Sequence, residues 1–358
     1  MTEYNFSTDL ENRSEILFVY DARNTNPNGD PLSANNSPRI DRETGQAVVT
    51  DVRLKRYIRD ELEDTFVGDD SNSVFIMNPS KHGGTSVYRD LAFKNVLGVD
   101  DFEDIEEMNG DDILSRFINR AADVRYFGAT LSFNEELNTD NGNLPERKGI
   151  PSQLIGPVQF SHGHSLNTIV ENPESKRLAA VLQSQKGNQT GTFATDNRLK
   201  YALITFYGVV NEVGAKNTKL SQEDVERLDK VIWRGLKNQT LTRSKVGQSP
   251  RLYLRVEYET DRYYDGDLES LVELGEGAVE DGKIRNVRDA EVNIEPLLDR
   301  LDEIREHLEQ LHVKTDSQLD YRVGDALDTE DNVLTGRELS NNLTEKFPAT
   351  LVEPYKDE

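Results

Sequence analysis

The sequence contains no cysteine, and this absence removes several kinds of site. Without thiols the chain cannot form disulfides, use a cysteine nucleophile or bind zinc through thiolates. Histidine is also scarce, with five residues in 358. There is no G-x-x-x-x-G-K-[ST] phosphate loop, no H-E-x-x-H zinc motif and no G-x-S-x-G nucleophile elbow. The sequence therefore offers no familiar signature of an enzyme.

Long apolar segments are missing too. No run of 18 apolar residues occurs, and the first fifteen residues lack the basic and apolar regions of a signal peptide. We therefore expect a cytoplasmic protein with no membrane partner.

Positive charge is in deficit. The chain has 66 acidic residues against 42 Lys and Arg, for a formal net charge of −24. Disorder does not explain this balance, because apolar residues recur in helix and strand periods along most of the chain. Dense carboxylates suit a cytoplasm at high salt, where charge repulsion is screened. The composition thus indicates a halophilic, haloarchaeal type of host.

One short segment departs from this acidity. Residues 51–60 carry four bases, Arg53, Lys55, Arg56 and Arg59. The segment is predicted to be a helix that Thr50 can cap, with Leu54, Ile58 and Leu62 on its buried face. An ordinary solvated helix face is the alternative. Because the rest of the surface is biased to the opposite sign, we favour a surface reserved for an anionic partner.

A second electropositive region spans residues 141–210, with four acids and seven bases. Within it, 184–198 is rich in small residues and has one aromatic, Phe193, which is consistent with a projecting hairpin or with an ordinary surface loop. Further along, 242–251 has three bases and no acid.

The predicted secondary structure indicates an α+β fold. Its elements are a buried strand at 15–23, a long loop at 24–46, the basic helix, strands at 123–133 and 156–166, a central strand at 199–211, a capped helix at 221–236, a half-exposed strand at 252–258 and a helix at 295–311. This order is the ferredoxin-like pattern with insertions.

Two small groups are candidates for chemistry. His162 and His164 alternate on one predicted strand and could bind a metal or transfer protons, although two exposed polar residues on one sheet face are common. Asp30, Asp41 and Asp51 could hold a divalent cation, but Asn, Gly, Asp and Pro around Asp30 are also turn residues. We favour a structural role for both groups.

Several long motifs in order carry a resemblance. They are NPNGDP (26–31), PRID (38–41), TG (44–45), VTDVRLKRYIRDEL (49–62), GPVQFSHGHSLN (156–167), GTF (191–193), YALITFYGVVN (201–211) and RSKVGQSPRLYLRVEY (243–258). From about residue 14 to 310 the chain resembles the CRISPR-associated Cascade backbone family of the RAMP superfamily, and more narrowly its type I-B branch.

The resemblance implies a non-catalytic subunit of antiviral defence, with no cofactor and no metal. Such a subunit would polymerise along CRISPR RNA as a helical filament, contacting neighbouring copies of itself and other Cascade subunits, and would present the guide to target DNA. It also implies an RNA-recognition-motif-like palm with inserted lobes. The expected parts are palm at 14–63, 123–170 and 199–312, a helical finger lobe at 64–122, a thumb hairpin at 171–198 and an acidic extension at 313–358.

The resemblance further implies which residues bind RNA. They are Asn28, Gly29 and Ser37 in the loop, Arg53, Lys55, Arg56 and Arg59 on the helix, Arg243, Lys245 and Arg251 in the basic loop, and Phe193 as the thumb wedge. Type III relatives in the superfamily cut RNA with a loop aspartate, so a metal-dependent ribonuclease using Asp30 or Asp41 is the alternative. A scaffold without nucleic acid is a weaker alternative.

Overall fold

The computed structural model describes residues 10–29, 36–69, 71–78, 81, 88–134, 136–172, 178–179, 193–194, 196–259, 262–327, 329 and 332–356. The strands in these ranges are β1 (Ser14–Thr25), β2 (Gln46–Val49), β3 (Gly128–Thr130), β4 (Asn138–Thr139), β5 (Gly142–Asn143), β6 (Gln153–Ile155), β7 (Val158–Phe160), β8 (Gly163–Thr168), β9 (Leu178–Ala179), β10 (Phe193–Ala194), β11 (Leu199–Val210), β12 (Gln248–Tyr258), β13 (Glu273–Leu274), β14 (Glu291–Asn293), β15 (Leu308–Thr315), β16 (Asp320–Arg322), β17 (Val333–Thr335) and β18 (Ala349–Leu351).

The helices in the same ranges are α1 (Asp51–Thr65), α2 (Arg89–Leu97), α3 (Phe102–Glu107), α4 (Gly110–Arg120), α5 (Ala122–Phe127), α6 (Leu144–Lys148), α7 (Glu212–Thr218), α8 (Gln222–Lys237), α9 (Glu295–Glu303) and α10 (Gly336–Lys346). Across these described ranges, no helix combines the length and the apolar content that crossing a membrane requires. Mixed α+β architecture, as predicted, is confirmed.

A large sheet organises the molecule, with the strand order β18-β15-β12-β1-β11-β8-β2 and with β7 also paired to β11. The inner neighbours β12, β1, β11 and β8 run antiparallel, and β18 joins β15 in parallel. Phe18 of β1 lies opposite Phe206 of β11 and Tyr253 of β12. The predicted strand at 15–23 and the predicted central strand at 199–211 are both confirmed.

Two amphipathic helices, α1 and α8, cover one face of this sheet. Leu54, Ile58 and Leu62 of α1 are buried in the core that also contains Val225 and Leu228 of α8. The helices approach closely at Gly235, where a Cβ atom would lie 2.6 Å from the carbonyl oxygen of Tyr57. The predicted buried face of α1 and the predicted capping box of α8, made by Ser221 and Asp224, are confirmed.

Two further apolar cores lie beside the first. Residues from 252 to 347, including those of α9 and α10, form a core on the other face of the sheet. The helices α2 to α4 build a separate lobe around Phe93 and Phe117, whose ring centroids are 4.7 Å apart. The predicted domain boundary at residue 312 falls inside β15, which pairs with β12 in the main sheet.

The predicted strand at 123–133 is wrong. Residues 122–127 form α5, and only the short β3 follows. Long-range partners stabilise this helix, because the buried Arg125 donates to both carboxylate oxygens of Asp224 at 2.8 Å. An aromatic, β-prone segment is thus held as a helix by a contact 99 residues away in sequence.

Two other predictions fail in detail. The strand at 252–258 was expected to be half exposed, yet it is buried throughout, because both faces of the sheet are covered. The helix predicted at 295–311 ends at Glu303. Residues from Leu308 onward instead form β15, where pairing with β12 outweighs their helical periodicity.

Candidate nucleic-acid interface

The site begins where β1 ends and the long loop starts. The loop 242–247 crosses this end: Arg23 N–H donates to the carbonyl of Gly247 at 2.8 Å, and Asn26 N–H donates to that of Ser244 at 2.9 Å. Gly247 has a φ of 112°, and a Cβ there would lie 2.4 Å from the Arg23 carbonyl oxygen. Glycine is therefore needed at 247 for the two segments to meet.

Lys245 is hydrogen-bonded to the backbone of the first residues of the loop. Its Nζ donates to the carbonyl oxygens of Asn26 at 2.5 Å and Pro27 at 3.0 Å. The buried hydroxyl of Tyr57 donates to the same Pro27 oxygen at 3.1 Å. Burial, and secondarily the nearby Arg53 cation, lower the pKa of Lys245 to about 7. The basic loop and α1 thus share one carbonyl of the 24–29 segment.

Side-chain amides join the remaining parts of the loop. Asn26 Nδ2 donates to the Asn36 carbonyl at 2.8 Å, and Asn197 Nδ2 donates to Ser37 Oγ at 2.9 Å. Ser37, one predicted loop contact, is therefore tied to the segment that precedes β11. Asn28, another, accepts the backbone N–H of Arg39 at 3.3 Å. Thr50 occupies the N-cap position of α1, but its hydroxyl makes no capping bond and lies 3.4 Å from Asn28 Oδ1.

Gly29, the third predicted loop contact, lies against the far side of the loop. It forms an isolated antiparallel bridge with Pro38. A Cβ atom at Gly29 would lie 2.1 Å from Asn36 Oδ1, so a side chain there would push the two halves of the loop apart. The loop is thus closed on itself at Gly29.

Arg53 differs from the other bases of α1. In the part of the chain that the structure describes, its side chain makes no hydrogen bond and no ion pair, and its guanidinium lies 5.9 Å from the centre of the Tyr57 ring. Arg53 is partly exposed, and the hydroxyl of that tyrosine donates to Pro27 of the 24–29 segment. Arg53 therefore offers an uncompensated positive charge next to the loop.

The other three bases of α1 are neutralised by acids of the same protein. The pairs are Lys55–Asp51 at 3.2 Å, Arg56–Asp60 at 2.9 Å and Arg59–Asp123 at 3.0 Å. The predicted four-residue positive surface is therefore reduced to one unpaired guanidinium, on Arg53, and three paired cations. Lys55 and Arg59 also flank the ring of Phe127, at 5.5 and 5.0 Å from its centre.

The remaining predicted contacts lie in different surroundings. Arg243 is 60% exposed and shares the carboxylate of Asp196 with Arg198, at 2.9 and 2.7 Å. Phe193 begins β10, where its backbone pairs with Ala179, and its side chain lies outside the described residues. The structure thus brings Arg243 to the loop surface.

Arg251 lies apart from this surface. Its guanidinium is buried between the carboxylates of Asp21 at 2.9 Å and Asp316 at 2.6 Å. A side chain enclosed in this way cannot reach a phosphate without breaking both ion pairs. We therefore exclude Arg251 from the candidate interface.

The histidines and aspartates that the sequence offered as candidates for chemistry do not form a common site among the described residues. Asp30 lies outside the described residues. Asp41 accepts the backbone N–H of Glu43, and this bond is the largest cause that lowers the pKa of Asp41. His162 Nε2 lies 3.7 Å from Asp51. Throughout the described ranges, no cluster of three acidic or histidine side chains has the arrangement of a metal site.

Sequence reasoning missed several residues that shape this region. The hydroxyl of Tyr57 lies 3.4 Å from Oε1 of Gln248. Asp196 forms ion pairs with Arg198 and Arg243 at the edge of the interface. Asn28 Nδ2 and Asn26 Oδ1 are buried with no hydrogen-bond partner in the described structure. The clustering of Asn residues in NPNG was the only available signal, and it is equally typical of a turn.

Comparison with known proteins identifies the family of the chain. The family model described as CRISPR-associated protein Cas7 matches residues 12–295. A curated CRISPR-associated protein Cas7 from Haloferax volcanii is 44% identical over 318 residues, covering 88% of this chain and 90% of its own length.

Comparison with solved structures matches two chains of CRISPR RNA-guided surveillance complexes. One, described as pre-nicking, has a TM-score of 0.46 and 15% identity, and covers 85% of this chain and 94% of its own. The other has a TM-score of 0.43 and 15% identity, and covers 85% and 91%. The family match spans most of the chain, and the chain belongs to the CRISPR-associated protein Cas7 family.

Proposed function

We propose that this protein is the backbone subunit of a type I-B CRISPR RNA-guided surveillance complex. It polymerises along CRISPR RNA and holds the guide for pairing with invading DNA. The subunit itself performs no chemistry, and its partners are the RNA, neighbouring copies of the same chain and other subunits. Family membership makes the metal-dependent ribonuclease the less favoured alternative.

The arrangement of the inner strands supports an RNA-recognition-motif-like palm. The βαββαβ pattern predicted from sequence corresponds to β1, α1, β8, β11, α8 and β12, and the observed order β12-β1-β11-β8 is antiparallel. Both helices cover the same face. On this proposal α2 to α4 form the finger lobe, and β9 and β10 belong to the thumb.

The observation that carries the proposal is the meeting of an unpaired arginine with a polar loop. Arg53 lies beside the loop that contains Asn28, Gly29 and Ser37, and Arg243 borders the same loop. Phosphate contacts of this kind carry no sequence information, and a guide holder needs such binding because every guide differs. We propose these five residues as the RNA contacts, with Phe193 as the thumb wedge and the paired bases of α1 as flanking groups.

Recovery of bound RNA tests the proposal. The tagged full-length protein is purified at about 2 M KCl, where nonspecific electrostatic binding is weak, and the bound RNA is sequenced. Guides that carry repeat sequence at their ends are the expected result. Recovery of no RNA, or of fragments that reflect only transcript abundance, would contradict it. Incubation of the complex with complementary RNA and Mg²⁺ tests the alternative, which requires periodic cleavage that is lost in Asp30→Ala or Asp41→Ala.

A further inference from the structure

Lys245 belongs to the basic loop, yet its surroundings differ from those of an exposed phosphate ligand. Its ammonium group is partly buried and points at two backbone carbonyls of the chain itself, those of Asn26 and Pro27. Both acceptors are uncharged, so the bonds use its donors without neutralising a carboxylate. In the described structure its side chain has no acidic partner.

The two carbonyl groups that Lys245 contacts lie next to proposed RNA contacts in the sequence. They directly precede Asn28 and Gly29, two of the proposed RNA contacts. The backbone of Lys245 is itself held in place, because Gln248 Nε2 donates to the Lys245 carbonyl at 3.2 Å. Tyr57 of α1 donates to the Pro27 oxygen as well. The backbone at 26–27 is therefore held between α1 and the 242–247 loop.

We infer that Lys245 is a positioning residue, which shapes the 26–29 segment for RNA and does not itself contact a phosphate. The inference rests on the proposed function. It replaces the expectation that Lys245 binds RNA directly. In the same loop, Arg243 pairs with Asp196 but is 60% exposed, so its guanidinium is accessible for a direct contact. Arg53 is the matching direct contact from α1.

The salt dependence of binding separates the two roles. Each phosphate neutralised on a single strand contributes about 0.7 to the slope of log affinity against log salt. A variant that loses a direct contact therefore has a slope reduced by about 0.7, whereas a variant that loses only loop geometry binds more weakly at the same slope. Fluorescence anisotropy with a labelled single-stranded RNA over a KCl series gives both quantities for the full-length protein.

Lys245→Met is the main variant, and Arg53→Gln is the reference for a direct contact. Lys283→Met carries the same substitution at an exposed lysine paired with Glu280, and it controls for loss of one positive charge. Tyr57→Phe removes a bond to the same loop without changing charge. We expect roughly tenfold weaker binding at unchanged slope for Lys245→Met, which loses charge-assisted bonds. Tyr57→Phe loses one neutral bond and should bind about threefold to tenfold more weakly, also at unchanged slope. Lys283→Met should bind as the parent protein does.

Hydrogen exchange of the free protein gives a readout that needs no RNA. The amide of Asn26, which donates to the Ser244 carbonyl, and that of Arg39, which donates to the Asn28 carbonyl, should exchange faster in Lys245→Met and Tyr57→Phe, and at the parent rate in Arg53→Gln. If Lys245→Met fails to fold, Lys245→Gln, which keeps a donor, takes its place. A slope reduced by about 0.7 with unchanged exchange would overturn the inference. If the parent protein binds no RNA, the proposed function fails, while the exchange result still decides whether Lys245 shapes the loop.

Discussion

Arg59 and Asp123 form an ion pair that ties α1 to α5. The Nε atom of Arg59 lies 3.0 Å from Asp123 Oδ2, and the carboxylate is buried. Asp123 also accepts the backbone N–H groups of Phe75 at 2.7 Å and Ile76 at 3.1 Å. A residue predicted from sequence as an RNA contact is therefore also a structural link between three segments.

This pair predicts that Arg53 and Arg59 respond differently to the same substitution. Arg59→Gln leaves a buried carboxylate short of its cation and should lower the free energy of unfolding by about 1–3 kcal/mol. Arg53→Gln breaks no polar contact in the described structure and should change stability by less than about 0.5 kcal/mol. Urea denaturation at fixed KCl measures both. Equal destabilisation would show that Arg53 has a structural role as well.

Removal of Arg251 should damage the fold and leave the RNA contacts intact. Arg251→Met leaves Asp21 and Asp316 unpaired near the core, and breaking one partner of a buried pair costs about 3–5 kcal/mol. Adding Asp21→Asn and Asp316→Asn should recover part of this loss, because the uncompensated charges are removed. The salt slope of RNA binding by the folded fraction should equal that of the parent. A smaller slope would mean that Arg251 contacts RNA after all.

Glu269 is predicted to destabilise the protein at neutral pH. Burial, followed by the nearby Asp267 carboxylate, raises the pKa of Glu269 to about 7, and its Oε2 atom is buried without a hydrogen-bond partner. The folded state then holds more protons than the unfolded state between pH about 4.5 and 7, so stability falls as pH rises through this window. Glu269→Gln should remove this fall and raise the melting temperature at pH 7.5.

Glu276→Gln is the matched control for this prediction, because Glu276 is exposed. Thermal unfolding of the parent and both variants at pH 5 and 7.5 gives the comparison. If Glu269→Gln and Glu276→Gln shift the melting temperature alike, general relief of acidic repulsion explains the gain and the specific role of Glu269 is wrong.

As pH rises, titration of Lys245 should increase the stability of the fold and decrease the affinity for RNA. Its folded pKa of about 7 lies below the unfolded value of about 10.4, so the unfolded state holds more protons between these values and unfolding becomes harder as pH rises. Phosphates near Arg53 favour the protonated amine, so binding takes up a proton and weakens above pH about 7. Among the residues that the structure describes, the titratable or charged groups that face Lys245 are Arg53 and Tyr57, both from α1.

Measurement of unfolding in urea and of RNA binding at pH 6.5, 7.5, 8.5 and 9.5 tests this linkage. Lys245→Met should lose both trends relative to the parent protein. Persistence of the affinity trend in Lys245→Met would assign it to another group.

The sequence by itself determined the principal elements of the central sheet. The strands at the start and centre of the chain, the helix α1 and the helix α8 follow from local periodicity and capping, which depend on neighbouring residues. The motif order around them also identified the family, which the comparisons confirm. Local patterns did not give the helix α5 or the strand β15, because Asp224 and β12 stabilise them from far along the chain.

Tertiary structure alone decided which basic residues are free. In sequence, Arg53, Arg59, Lys245 and Arg251 are equivalent cations in basic segments. In the fold, Arg59 and Arg251 face carboxylates, Lys245 faces backbone carbonyls and Arg53 faces the aromatic ring of Tyr57. The availability of a charge depends on the partners within a few ångströms, and those partners come from segments whose meeting only the packed chain defines.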